Sequence, residues 1–411
     1  MGFIVSLAWK NLSRYRRRSL ITAIAITAGL AVYIAADCMF SGIEQDSERN
    51  FIRYEAGAAQ VMDERFFKEI DYLPLKYGIR DPGAVQRALA PLGVRTTPRI
   101  RFLGELFHEY GSQQVMMEAL DPSTDRAVLR IRDSVKEGAY LGDDPSAILV
   151  GRLLAEDLDA DLGDTLVLRT RTRDGAFQTS DFEIKGIIDS PNPYLNRGVG
   201  FVTLAAANDL LQMEGSVTEI LVGVNDWRQP EKLALGMTRA LGIDFPGLVV
   251  KSWRDLGQDF INIVQAHMSI YNLLLFLVFV IAAVGISNTM LMAVYERFRE
   301  IGMMRALGMQ DGKLRLAFVL EACGIGLIGS IGGVLLGAML SWWMVNWGID
   351  YTSLIGRTDM GYRINGVFRG AWNPATMVRA FLFGVLVSMV VSLIPASRAL
   401  RKGITDCLRH V

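Results

Sequence analysis

Residues 296–310 read Glu296-Arg297-Phe298-Arg299-Glu300-Ile301-Gly302-Met303-Met304-Arg305-Ala306-Leu307-Gly308-Met309-Gln310. An uncharged apolar run, Ile270 to Val294, precedes this stretch, and another long one begins at Phe318. Charges crowd its start, and apolar residues lie between them. On a helix, Glu300, Met304 and Leu307 share one face, as do Glu296 and Glu300. Gly308 suits a helix C-terminus. The whole stretch as one helix would be roughly 22 Å long at ~1.5 Å per residue, too short and too charged to span a bilayer. It is expected to lie at the membrane surface and to tie two spanning helices together. Composition alone would also fit an ordinary charged loop.

Working outward, four apolar segments are long enough to cross a membrane: 19–40, 270–294, 318–347 and 376–396. Arg14, Arg16, Arg17 and Arg18 precede the first, and positive charge also marks 295–317 and the tail 397–411. By the distribution of positive charge, both termini and 295–317 are expected in the cytoplasm, with 41–269 and the loop 348–375 outside. Residues 1–18 alternate with a helical period, as an amphipathic helix in the interface would. In the third segment Gly329, Gly333, Gly337 and Ser341 recur every fourth residue. They make a smooth face on which another helix can pack closely, with a helix across the permease dimer as the expected partner. Trp342, Trp343 and Trp347 fit an outer aromatic belt.

Residues 41–269 hold 25 basic and 35 acidic side chains, although the whole chain of 411 residues is balanced at 43 of each. The segment is large enough for two subdomains. Short β-branched runs bounded by turn residues recur at 147–150, 165–168, 182–188, 200–203 and 219–224. Helical stretches at 152–159, 204–213 and 230–241 intervene. The expected fold is therefore an α-helical bundle of four membrane spans, with a large α+β extracytoplasmic domain inserted between the first and second. A mean hydropathy of +0.26 agrees with a membrane chain that carries a large water-exposed part.

Several chemistries are excluded on sequence grounds. No basic stripe is interleaved with aromatics as nucleic acid would require. The three cysteines and three histidines have no ligand spacing, and no cysteine lies within 41–269 to staple that domain. Gly308 to Lys313 is the nearest approach to a phosphate-binding loop, but Leu314 follows the lysine and no strand precedes it. No Gly-x-Ser-x-Gly or His-Glu-x-x-His pattern occurs. The chain is expected to be non-catalytic, with no cofactor or metal of its own.

Asn288 to Val294, Glu296-Arg297, Arg299-Glu300-Ile301-Gly302, Arg305-Ala306-Leu307-Gly308 and Glu321-Ala322 together resemble the signature of the MacB, LolC/LolE and FtsX superfamily of ABC transporter permeases. Weaker likenesses run through Gly151 to Ala155 and Leu162 to Leu166. Thr97 to Gly104 with Glu118 to Pro122 looks closer to LolC and LolE. The tail departs from the pattern at Gly403 and Ile404. The resemblance implies that 296–310 is a coupling helix docked on a cytosolic ABC ATPase dimer. Glu296, Arg297, Arg299, Glu300, Ile301, Gly302, Met303, Met304, Arg305, Leu307 and Gly308 would form the contact. ATP and Mg would be bound by that partner. It further implies a second permease, identical or paralogous, in the inner membrane of a bacterium. The function implied first is lipoprotein release with a periplasmic carrier or an adaptor. MacB-like export of peptides or drugs and FtsX-like signalling to cell-wall hydrolases are the alternatives. Substrate is expected near the outer ends of the first two spans, where Tyr33, Met39, Phe40, Met268, Tyr271 and Phe276 offer adaptable apolar surface.

Overall fold

The computed structural model describes residues 16–109, 111–224, 229–350, 363–364 and 366–400. Residues 1–15 of the interfacial helix expected at the N-terminus, the tail beyond Leu400, and residues 351–362 and 365 of the loop 348–375 lie outside them. The described residues fall into two compact units. One comprises residues up to 43, 265–350 and from 367 onward; the other comprises 44–264 with the described part of 351–366.

The first unit is helical. Its helices are α1 (Arg16–Phe51), α2 (Gln258–Glu296), α3 (Phe298–Ala306), α4 (Asp311–Asn346) and α5 (Pro374–Leu400). Helices α1, α4 and α5 are each long and apolar enough to cross a membrane. Helix α2 spans 39 residues and contains the uncharged run 270–294. The sequence ends the first span at Phe40, but α1 continues to Phe51 through Glu44, Gln45, Glu48 and Arg49. Glutamate, glutamine and arginine are good helix formers, so the helix outlasts its apolar run.

The spaced glycines of α4 lie against α1 of the same chain. A Cβ added at Gly329, Gly333 or Gly337 would stand 2.8, 2.6 or 2.8 Å from the Cβ of Ile26, Leu30 or Ile34. Thr27 Oγ1 donates to the Gly329 carbonyl at 3.0 Å, and the Cys38 thiol reaches the Ser341 carbonyl at 3.9 Å. Both helices therefore use every fourth residue, and the missing side chains on α4 admit the branched ones on α1. On its other flank α4 takes α5, with Gly326 against Ser388 and Gly384 against Ser330. The buried core collects Ile26, Leu30, Met290, Phe298, Phe318 and Ile325. Outward, Ile331, Leu335, Met339, Leu382, Leu386 and Val390 are exposed, an apolar belt suited to lipid tails. Trp342 and Trp347 pack edge to face at 5.1 Å at the C-terminal end of α4.

The second unit is built on one mixed sheet of ten strands: β1 (Ala59–Asp63), β2 (Arg95–His108), β3 (Gly111–Leu120), β4 (Val135–Gly138), β5 (Ala147–Gly151), β6 (Thr165–Arg171), β7 (Phe177–Ile188), β8 (Val199–Thr203), β9 (Glu219–Gly223) and β10 (Leu248–Ser252). Strands β2, β3, β8, β5, β7 and β6 follow one another round a ring, which closes because β6 pairs with both β7 and β2. Strand β4 pairs with the edge of β7, and β9, β1 and β10 extend from the opposite end of β2. The two halves expected from length thus share a strand. At 14 residues, β2 is long enough to serve both. Alternation sets the faces: in β6, Leu166, Leu168 and Thr170 point inward while the residues between them face solvent. Helices at Pro82–Leu89, Arg152–Leu158, Leu204–Leu211 and Pro230–Leu241 cover the sheet. Asp81 and Thr203 start two of them by accepting from the amides of Ala84 and Ala206. The loop 348–375, read from sequence as a separate element, contributes the described part of residues 351–366 to this unit: the Arg363 carbonyl accepts from Asn50 Nδ2 at 2.7 Å, and the Arg363 guanidinium lies 3.2 Å from Glu55.

Candidate functional site

The stretch 296–310 is not one helix. Glu296 ends α2, and Arg297 turns the chain with φ −112° and ψ 16°. Helix α3 then runs from Phe298 to Ala306 and stops in a Schellman turn. There Met309 N–H donates to Met304 O and Gly308 N–H to Arg305 O, both at 3.0 Å. Gly308 takes φ +91°, which favours glycine. The turn at Arg297 has a visible cause. The arginine is almost fully buried and reaches Glu321 of α4 at 3.0 Å, itself almost fully buried. Phe298 packs edge to face on Tyr295 at 4.9 Å, and Ile301 is completely buried. A charged pair and two apolar side chains therefore pin α3 to the bundle.

This arrangement divides the residues that the sequence groups together. Arg297, Ile301 and Gly302 are buried, the first two in the inner wall of a groove beside α3. Glu296, Arg299, Met303, Leu307 and Gly308 face outward, and Glu300, Met304 and Arg305 are half-buried. Arg305 is engaged with Asp311 at 2.9 Å across the turn. Leu307 is 89% exposed. A groove of about 270 Å³ lies between α3 and the start of α4, lined by Met303, Met304, Leu307, Leu314 and Phe318. The site offers docking chemistry: apolar side chains round a shallow groove, rimmed by charge. Sequence reading passed over Tyr295 and Phe298, and it left Glu321 without a partner. A glutamate inside an apolar helix was the available signal, since a charge there requires a counter-charge nearby.

Of the residues expected near substrate, Tyr33 and Phe276 line one hollow of about 530 Å³ with Asn272, Arg379, Phe383 and Leu386. Met39, Phe40 and Met268 are half-buried and lie outside that lining. Tyr271 belongs to α2, but its side chain is not among those described.

The second unit holds a cluster that sequence reading missed altogether. Arg99 of β2 is completely buried and lies 2.5 Å from Glu219 of β9 and 3.0 Å from Glu118 of β3. Arg101 also reaches Glu219, at 3.1 Å. Arg99 donates to the Glu55 carbonyl, and the Glu55 carboxylate meets Arg363 and Asn192. Burial pushes the Glu118 carboxyl up to about 7, against the pull of Arg99 and Arg101. Nearby, Asp125 accepts from the Tyr140 hydroxyl at 2.8 Å, and burial raises its carboxyl to about 6.

Residues 272–404 match the family described as FtsX-like permease C-terminal. The chain is similar to the lipoprotein-releasing system transmembrane protein LolC of Xylella fastidiosa strain 9a5c, with 24% identity over 313 residues, 72% of this chain and 73% of that protein. It is similar to an ABC transporter permease, MJ1507, of Methanocaldococcus jannaschii, with 25% identity over 431 residues, 99% of this chain and 97% of that protein. It is also similar to the macrolide export protein MacB of Chlorobaculum tepidum, with 36% identity over 101 residues, 23% of this chain and 15% of that protein. Family members work with cytosolic ABC ATPases. Residues 272–404 thus carry an FtsX-like permease C-terminal segment, and the chain as a whole is similar to ABC transporter permeases such as LolC and MJ1507.

Proposed function

We propose that this chain is the non-catalytic membrane subunit of a transporter whose ATPase is a separate protein, and that it releases lipid-modified proteins from the inner membrane. One observation carries the coupling role. Helix α3 is fixed to the bundle through Arg297, Phe298 and Ile301, while Met303 and Leu307 stand exposed beside a groove. A push on the outward residues would therefore move α2 and α4 rather than bend a loop. ATP and Mg belong to the partner in this reading. Helix α2 is the fourth span, and a second permease completes the pathway. The hollow at Tyr33 and Phe276 suits an acyl chain better than a polar peptide, since its walls are mainly apolar. The length of the match to LolC favours lipoprotein release over MacB-like export.

The test is reconstitution with the cognate ATPase. Glu300→Lys and Leu307→Asp should weaken ATPase docking and abolish coupled release. Wild-type docking, hydrolysis and release in both variants would reduce α3 to a connecting loop. A photocrosslinker at Phe276 should capture a lipidated protein; capture of permease helices alone would assign the hollow to packing.

A further inference from the structure

The chain enters the second unit twice. It does so first as the continuation of α1 past residue 43, and again as the segment 351–366 between α4 and α5. One acidic residue, Glu55, meets both passages. It lies in a π-helical turn, Ile52–Ala56, just past the end of α1. Its main-chain carbonyl accepts from Arg99 Nη1 of β2 at 2.7 Å. Its carboxylate accepts from Asn192 Nδ2 at 3.0 Å and pairs with the Arg363 guanidinium at 3.2 Å. That guanidinium also lies over the Tyr194 ring, 5.0 Å from its centroid. The main chain round Glu55 is fixed as well. The Ala58 amide donates to the Val222 carbonyl of β9, and the Arg130 amide donates to the Arg53 carbonyl, both at 2.8 Å. Glu55 is thus held to the sheet through its backbone and to the segment 351–366 through its carboxylate.

The link is largely withdrawn from water: the Glu55 and Arg363 side chains are 13% and 17% exposed, and Arg99 is completely buried. A buried ion pair typically adds little stability over well-packed apolar residues. What a charge-assisted contact adds is direction, because a guanidinium meets a carboxylate in few geometries. Arg363 therefore has a fixed seat rather than a slippery one. Asn192 holds the carboxylate from the other side, and its own side chain is completely buried. The chain order gives this seat its meaning. A push on α3 moves α4, and the chain that follows α4 returns to the second unit as 351–366. A slack segment would absorb such a displacement. A segment seated on Glu55 hands it on to Arg99, and Arg99 is bound to Glu118 of β3 and Glu219 of β9. Coupling between distant sites runs through contiguous bonded and packed groups of this kind.

We propose that Glu55 is a positioning residue for transport: paired with Arg363, it seats the segment between α4 and α5 on the sheet of the second unit and passes the movement of α4 to that sheet. This inference rests on the coupling role proposed for α3. The full-length chain would be reconstituted with its ATPase in liposomes, and a fluorescent lipid-modified protein would serve as the probe. Arg363→Gln and Glu55→Gln should leave ATPase docking and ATP hydrolysis unchanged. Probe released per ATP should fall at least about fivefold, the lower end of coupling between sites. Arg363→Lys keeps the charge and should restore most of the release. The double variant should be no worse than either single one, since both break the same link. If a single variant melts early because one charge is stranded, the double variant, which removes both, serves in its place. A second readout needs no transported probe. With the three native cysteines replaced by serine, spin labels would be placed at Asn346 and Asp161, both exposed. Vanadate trapping should leave their separation unchanged in the otherwise wild-type chain and spread it in the Gln variants. Loss of ATPase docking in the wild type would sink the coupling reading and this inference with it. Absence of probe release by the wild type would sink the lipoprotein reading, and the label separation would then decide alone. Gln variants that keep the wild-type separation, or that release the probe at the wild-type ratio, would overturn the inference while leaving the coupling reading intact.

Discussion

Two buried acids make the clearest predictions at the scale of single residues. Asp125 has its carboxyl raised from 3.8 to about 6, so the folded state holds its proton more tightly than the unfolded chain. Stability contributed by that proton is present below pH 3.8 and is lost as pH rises through about 6. Asp125→Asn keeps a neutral group beside Tyr140 and should flatten this part of the pH profile. Denaturant melts of the full chain at pH 4 and pH 7 test it, and an unaltered slope would refute the assignment. The second acid is Glu321. Removing its partner, as in Arg297→Ala, should strand a buried charge at a cost of about 3 kcal/mol. Arg297→Met with Glu321→Leu should recover most of that stability while still loosening the turn into α3. Melting temperatures measure the first effect, and ATPase stimulation by the permease measures the second.

Among elements, the contact between α1 and α4 is the most sensitive to volume. Gly333→Ala places a Cβ 2.6 Å from that of Leu30, and each Cβ is fixed by its helix backbone and cannot turn aside. Overpacking of this kind typically costs about 1–3 kcal/mol. Gly29→Ala, on α1 with nothing within 4 Å, should be neutral or slightly stabilising by helix propensity. Parallel thermal melts of the two variants in detergent separate packing from propensity. Equal melting temperatures would mean that the helices can slide apart without loss. The sequence made the seam legible through its spacing, but not the partner, because Ile26 lies far from Gly329 in the chain. The split of 296–310 was hidden for a similar reason: nothing local reveals that Arg297 leaves the helix to meet Glu321.

For the whole molecule, topology is the expectation to measure first. A cysteine at Asp161 should react with an impermeant maleimide from outside, and one at Gly312 should react only after lysis; both positions are exposed. The reverse pattern would overturn the orientation. Ala160, next to the first of these, is buried and would report nothing. Much of the second unit was legible because β5 to β9 are β-branched runs between turn residues. Strand β2 was not read as a strand. Pro98 interrupts it, and Arg99 and Arg101 look like surface charges until Glu118 and Glu219 arrive from β3 and β9. The ring closure through β6 was equally invisible, since it depends on which edge of β2 remains open. Charge clusters built from distant segments, such as Arg99 with Glu118 and Glu219, leave no pattern at any fixed spacing.

The pairing of α1 with α4 has a consequence for biogenesis. Thr27 and Gly329, which hydrogen-bond across that seam, are 302 residues apart. A ribosome must therefore complete residues 44–264 of the second unit before the partner of α1 exists. During that interval the face of α1 that will meet the glycines has only lipid or the insertion machinery for company. Ile26, Leu30 and Ile34 suit that wait, because branched hydrocarbons are stable in a bilayer alone. The smooth, side-chain-poor surface is the one made later. An ordering with the glycines on α1 would have sent the less lipid-soluble helix into the membrane first.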